Sequence, residues 1–176
     1  VRLLREAGAI IIGKAHTHEF ALGVTTPQSR NPWDTSRDPG GSSGGSAITI
    51  STGMSLLSLG TDTRASIRVP ASLCGTLGYK PTYGLVSTDG IVTLSWTMDH
   101  AGLMGRTSED VAIMMNIIQG FDAKDSGTLD LPNDDYTDYL FKDVTGLRVG
   151  LAVEALEGAD PETLKTFNAC LEFLKS

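Results

Sequence analysis

The sequence predicts an α/β fold, and three observations carry that prediction. Short apolar segments alternate with segments of helical period, so strand and helix follow one another along the chain. Glycines stand where helices should stop, at Gly8, Gly53, Gly75 and Gly120. The 176 residues, 40% hydrophobic and 20% charged, suit one core of ordinary size.

Taken in order, Val1 to Gly8 reads as the last turns of a helix closed by Gly8. Ala9 to Ile12 is short, β-rich and uninterrupted, which predicts a strand buried on both faces. Thr25 to Ser46, rich in Pro, Gly, Ser and Asn, has no hydrophobic period; it is a long loop, and long loops in compact domains are usually functional. Ala47 to Thr52 reads as a helix closing at Gly53, Leu56 to Gly60 as a strand, and Ile67 to Leu73 as a helix closing at Gly75. Pro70 falls in that helix's first turn, where it is tolerated. Thr82 to Thr97 is loop with strand fragments. Ser108-Glu109-Asp110 caps a helix over Val111 to Ile118, stopped by Gly120. Asp122 to Asp143 is a polar, acidic surface excursion before a strand at Leu147 to Leu151. Pro161 opens a last helix whose stripe of Leu164, Phe167, Leu171 and Leu174 needs a surface to pack on. The chain has no initiator methionine and starts and stops within such elements, so it is expected to be internal to a longer protein.

Fourteen Lys and Arg against 21 Asp and Glu give a net charge of −7, and the pI is about 4.8. That excludes a nucleic-acid backbone or an anionic membrane as the main partner. No apolar run approaches the roughly 20 residues needed to cross a bilayer. Cys74 and Cys170 are too few and too far apart for a disulfide framework or a metal knuckle. A soluble, cytoplasmic protein is expected.

Two segments carry the chemistry. Gly40-Gly41-Ser42-Ser43-Gly44-Gly45-Ser46 leads straight into a helix, so its N–H groups lie near a helix N-terminus that favours negative charge. It lacks the lysine of a phosphate-binding loop, and without a second feature such a run is a linker. The second feature is Gly60-Thr61-Asp62-Thr63-Arg64-Ala65-Ser66-Ile67-Arg68-Val69-Pro70, which sets a serine at a strand-to-helix turn. A serine there can simply cap the helix. It can also present an accessible nucleophile among backbone donors, the combination that acyl transfer needs.

Together the segments resemble the amidase signature family, marked by a Gly-Gly-Ser-Ser-Gly-Gly run and a Gly-Thr-Asp-Thr-Gly-Gly-Ser-Ile-Arg-x-Pro segment. Ser42 and Ser66 stand 24 positions apart, as that family's pair of catalytic serines does. The flanks agree as well: Gly13-Lys14 with Glu19-Phe20, Arg30-Asn31-Pro32-Trp33-Asp34, Cys74-Gly75, and Lys80-Pro81-Thr82. The resemblance covers most of Leu3 to Gly120. It implies a three-layer α/β/α fold with a mixed central sheet covered by helices. The chain would be part of one such domain, with core motifs at 13–120, the acidic excursion at 122–143 and a strand-helix pair at 147–176.

The same resemblance implies the roles. Ser66 forms the acyl-enzyme. Ser42, held by a cis peptide after Gly41, relays its proton. The N–H groups of Thr63, Arg64, Ala65 and Ser66 make the oxyanion hole. Ser43 and Asp62 support it, with Arg68 as the carboxylate's partner. The third member is a general-base lysine, its pKa lowered by burial. In the family it lies further upstream than the 41 residues that precede Ser42, and Lys14 matches a different, structural stretch. The chain alone is therefore expected not to hydrolyse an amide. Arg64-Ala65 replaces the family's usual Gly-Gly, adding a Cβ and a cation; Arg64 either points onto an acidic residue or reads a carboxylate on the substrate.

No metal and no cofactor is implied. His16-x-His18-Glu19 lacks the i, i+4 spacing of a zinc helix, and His100 reads as a loop histidine. Trp33, Tyr79, Tyr83 and Trp96 are too scattered for a base-stacking platform. The leading function is hydrolysis of a small-molecule carboxamide to a carboxylate and ammonia or amine by a stand-alone amidase, without direct nucleic-acid or membrane contact and as a homodimer if oligomeric. The alternative is the A subunit of a glutamyl-tRNA(Gln)/aspartyl-tRNA(Asn) amidotransferase, which frees ammonia from glutamine and works with partner subunits. Lys14 to Gly23 and Ser95-Trp96-Thr97-Met98-Asp99-His100 look more like stand-alone amidases. A binding module that kept only the scaffold is a third reading.

Overall fold

The computed structural model describes residues 1–175, which form two compact units, Val1–Lys142 and the stretch from Asp143 onward. The first unit is built on three strands, β1 (Ser58–Thr61), β2 (Leu77–Tyr79) and β3 (Ala101–Gly105), in the order β1-β3-β2. Leu59 and Tyr79 both register with Leu103, and Gly78 with Met104. Side chains alternate across a strand, so successive residues of β3 enter different layers. Leu103 packs with Val111, Met114, Met115 and Ile118 of α4 (Ser108–Ile118) and with Leu4 of α1 (Arg2–Glu6). Met104 packs with Ala47 and Ile50 of α2 (Gly44–Ser51), with Ile67, and with Cys74 of α3 (Arg68–Cys74). The sheet thus separates two cores, and the layers are α/β/α as expected. Both pairings are antiparallel, so the described strands show no parallel pair of a mixed sheet.

Local chemistry explains where the helices begin and end. Thr107 and Asp110 form a reciprocal capping box at the start of α4. Gly75, at φ 68°, takes the left-handed conformation that closes α3. Pro70 sits in the first turn of α3 as predicted. Cys74 is fully buried, and burial, reinforced by the Asp38 carboxylate, pushes its thiol up to about 11.

Two expectations change in this unit, and one strand had not been expected at all. Ala9 to Ile12 is not a strand: no described strand runs beside it to complete a ladder, and Ile10 is 87% exposed. The helix predicted from Ala47 begins three residues earlier, because the glycines turn directly into it. The central strand β3, Ala-Gly-Leu-Met-Gly, carries no β-branched residue to announce it. The loop from Thr82 and the acidic excursion are tied together: Asp125 accepts from the Thr88 N–H and hydroxyl at 2.7 and 2.8 Å, and Ser87 donates to Asp122 at 2.8 Å.

In the second unit the predicted strand at Leu147 to Leu151 is absent, and those residues are exposed without a ladder partner. A 3-10 turn spans Val153–Leu156, and α5 covers Pro161–Lys175. Asp160 caps α5 by accepting from the N–H groups of Glu162 and Thr163 at 2.9 and 3.3 Å. Leu164, Phe167 and Leu171 of the expected stripe are half-buried, while Leu174 is exposed. No described helix is long and apolar enough to cross a membrane.

Candidate active site

The glycine run is folded against its neighbours so closely that side chains would not fit. A Cβ on Gly41 would strike the Thr25 carbonyl, and one on Gly45 the His16 carbonyl. The Gly41–Ser42 peptide is cis. Thr26, wholly buried, donates to the Gly40 carbonyl at 2.8 Å and accepts from the Gly44 N–H at 3.0 Å. The segment from His16 to His18 clasps the turn through its main chain: His18 N–H donates to the Ser42 carbonyl and Gly45 N–H to the His16 carbonyl, both at 2.9 Å. The rings look elsewhere, His16 to the Ser29 hydroxyl and His18 to the Glu19 carbonyl.

Ser43 joins this turn to the second segment. Its N–H donates to the Ser66 carbonyl at 3.1 Å. Its hydroxyl donates to the Thr61 carbonyl and accepts from the Thr61 N–H, each at 3.2 Å. The structure therefore brings the turn bearing Ser42 beside the turn bearing Ser66. Ser42 is buried and Ser66 half-buried, and among the described residues neither hydroxyl has a hydrogen-bond partner.

The sheet makes room for this junction with glycine. Gly60, Gly78 and Gly102 lie on the face of Met104, and a Cβ at any of them would press on Ile67; at Gly60 it would also meet the Ser43 hydroxyl at 2.8 Å. At the far end of α3, Asn31 and Trp33 donate to the Leu73 and Cys74 carbonyls, both at 2.8 Å. They satisfy carbonyls that the helix itself leaves open. That is what the Arg30-Asn31-Pro32-Trp33-Asp34 stretch does here.

Asp62 is the hub of the loop that leads to Ser66. Its side chain is fully buried and meets Lys80 Nζ at 3.0 Å and Arg68 Nε at 3.1 Å. It also accepts from the Ile67 N–H at 3.2 Å. Burial pushes this carboxyl up, but the Arg68 and Lys80 bonds and the Ile67 N–H outweigh it and hold the group below the usual carboxylate range.

The main chain of the loop is held through its carbonyls. The carbonyls of four successive residues are engaged: Asp62 by the His100 N–H at 3.2 Å, Thr63 by Lys80 Nζ at 3.1 Å, Arg64 by the Arg68 guanidinium, and Ala65 by the Val69 N–H at 2.8 Å. A trans peptide directs its N–H opposite to its carbonyl. The N–H groups of Thr63, Arg64, Ala65 and Ser66 therefore face away from those partners, and none has an acceptor among the described residues. Successive unengaged N–H donors favour negative charge beside them. Neither Arg64 nor Ala65 has positive φ, so the loop makes no demand for the glycines they replace. Arg64 is exposed and forms no ion pair among the described residues, so it does not point onto an acidic partner there.

Sequence reasoning missed two residues of this network. Lys80 was visible only as part of a flank, and Asp99 only as a neighbour of His100. Asp99 accepts from the Thr63 hydroxyl at 2.6 Å and from the N–H groups of Leu94 and Ser95 at 2.7 and 3.0 Å. Both residues reach the loop across the fold, 17 and 36 positions from Thr63, where no local pattern records them. His100 is a loop histidine, its Nδ1 at 2.7 Å from the Met98 carbonyl. A groove of about 540 Å³ opens beside Trp96 and Lys124; it includes Asp99 but neither serine. No described group of three or more His, Cys, Asp or Glu could hold a metal ion.

Comparison with known proteins places this geometry. The family model named Amidase matches residues 1–176. The A subunit of glutamyl-tRNA(Gln) amidotransferase from Rippkaea orientalis is 47% identical over 98% of the chain. The crystal structure of the corresponding A subunit from Thermotoga maritima matches at TM-score 0.73 and 48% identity, covering 74% of this chain and 30% of that one. A crystal structure described as an amidase matches at TM-score 0.81 and 40% identity, covering 99% of this chain and 38% of that one. The chain spans 37% of the length of the curated relative from Rippkaea orientalis. With the paired serine turns in place and the family model matched from end to end, the chain belongs to the amidase signature family.

Proposed function

We propose that this chain carries the nucleophile and the oxyanion hole of an enzyme that cleaves carboxamides through an acyl-enzyme. The observation that carries the reading is the row of four unengaged N–H groups ending at Ser66, with every matching carbonyl held from behind. Ser66 Oγ attacks the amide carbon. Its proton passes to Ser42, which hands its own proton to a lysine outside this chain; that lysine returns a proton to the departing nitrogen. The tetrahedral oxygen is bound by the N–H groups of Thr63, Arg64, Ala65 and Ser66, each such donor being worth on the order of 100-fold in rate. Water then cleaves the ester, giving a carboxylate and regenerating Ser66. Ser43, Asp62 and Arg68 hold the two turns in place. The substrate is a small amide.

The test is labelling of the complete product of the reading frame with a fluorophosphonate probe, with the modified peptide mapped by mass spectrometry. Wild-type protein should be labelled at Ser66, and Ser66→Ala should not be labelled at all. A folded wild-type protein that resists the probe would sink the reading and favour a binding module.

A second reading is favoured by the curated relatives. Those named as amidotransferase A subunits reach 49% identity to this chain, which supports release of ammonia from glutamine in company with partner subunits. Glutaminase activity that appears only when partner subunits are added would select it. Hydrolysis of simple amides without partners would select the stand-alone amidase.

A further inference from the structure

We propose that Lys80 is a positioning residue for the acyl-transfer step, setting the direction of the Arg64 N–H in the oxyanion hole. The inference rests on the amide-cleaving reading above. Lys80 is mostly buried, with 19% of its side chain exposed. Its ammonium spans two acceptors, Asp62 Oδ1 at 3.0 Å and the Thr63 carbonyl at 3.1 Å. The first contact compensates a buried charge. The second has a different consequence, because the Thr63 carbonyl and the Arg64 N–H belong to one rigid peptide plane. A cation fixed on the oxygen turns the N–H away from itself and leaves it free to donate to a substrate oxygen.

Lys80 is itself fixed. Asp62 cannot move without breaking its bonds to Arg68 and to the Ile67 N–H, and its backbone is paired in both directions with His100. Pro81 follows Lys80 directly, and β2 ends one residue before it, so the root of the side chain is set by the sheet. Pre-organised donors act without reorganisation as charge develops, which is where electrostatic catalysis gains most. The ammonium is held by a buried carboxylate and a carbonyl at once, so Lys80 serves as a clamp.

The experiment compares Lys80→Met and Lys80→Arg with wild type in the complete protein, using a fluorophosphonate probe whose phosphonyl oxygen occupies the oxyanion position. Reversible binding of the probe (KI) and the rate of bond formation (kinact) are read separately, beside a thermal melt. Lys80→Met should lower kinact about 100-fold with KI nearly unchanged. Lys80→Arg keeps the charge beside Asp62, and with it the fold, but moves the donor by roughly an ångström; kinact should fall about tenfold. If Lys80→Met does not fold, Lys80→Arg decides. A folded variant with lowered melting temperature and wild-type kinact would overturn the proposal, leaving Lys80 a role in stability only, and so would a loss confined to KI. A wild-type protein that is not labelled at Ser66 overturns both this proposal and the reading beneath it, and that result is seen before any Lys80 variant is made.

Discussion

At the scale of single residues, Asp62 decides whether the loop exists. Removing its charge while leaving Lys80 in place strands a mostly buried cation. Asp62→Asn should therefore cost on the order of 3 kcal/mol, read as a lower melting temperature. The pH dependence has a definite sign. A carboxyl held below its ordinary range stabilises the fold fully above its unfolded value of about 4, and that contribution is lost as pH falls through the lower folded value. The gap in melting temperature between wild type and Asp62→Asn should be widest near neutral pH and shrink below pH ~4. A gap as large at pH ~3 as at pH ~7 would contradict this account. The turns bearing Ser42 and Ser66 stood out in the sequence through their glycines and the strand-to-helix junction, whereas the row of four donors was an expectation from the family resemblance alone. The groups that grip the carbonyls did not stand out, since Lys80 and Asp99 meet the loop only after the chain has folded back on itself.

At the scale of elements, α3 and the sheet touch where glycine leaves space. A Cβ on Gly78 would lie 2.6 Å from the Ala71 Cβ and 3.1 Å from the Ile67 Cγ2. Gly78→Ala should destabilise by about 1–3 kcal/mol, as overpacking of a full core does. Because Ile67 adjoins Ser66, it should also slow labelling of that serine. A melting temperature and labelling rate equal to wild type would show that the helix can retreat without consequence. The same elements show what a sequence conveys. α4 was readable from its period and acidic first turn, though its cap is Thr107 and the helix already begins at Ser108, the residue expected to cap it. β3 was not, because burial on both faces by its neighbours, and no propensity of its own, makes Ala101–Gly105 a strand. The converse error, at Ala9 to Ile12 and at Leu147 to Leu151, has the same cause: a strand requires a partner, and apolar composition alone supplies none.

At the scale of the whole molecule, the described chain divides after Lys142, and from Phe141 to Ala155 every residue is exposed. Exposed backbone without a ladder is where proteases cut first. Brief trypsin treatment should cleave at Lys142 or Arg148 and leave a resistant piece ending near there, identified by intact mass. Cleavage within Ser43 to Cys74 at comparable speed would contradict the tight packing of the serine turns. One further property belongs to the molecule as a field. The chain carries a net charge of −7, yet Arg64, Arg68 and Lys80 outnumber Asp62 and Asp99 around a single loop. An acid-bearing compound should thus meet less repulsion at this loop than the chain's net charge implies. That effect fades beyond the roughly 10 Å over which 0.1 M salt screens it. Ionic strength therefore becomes a handle on how fast such a compound arrives, separate from how fast it reacts.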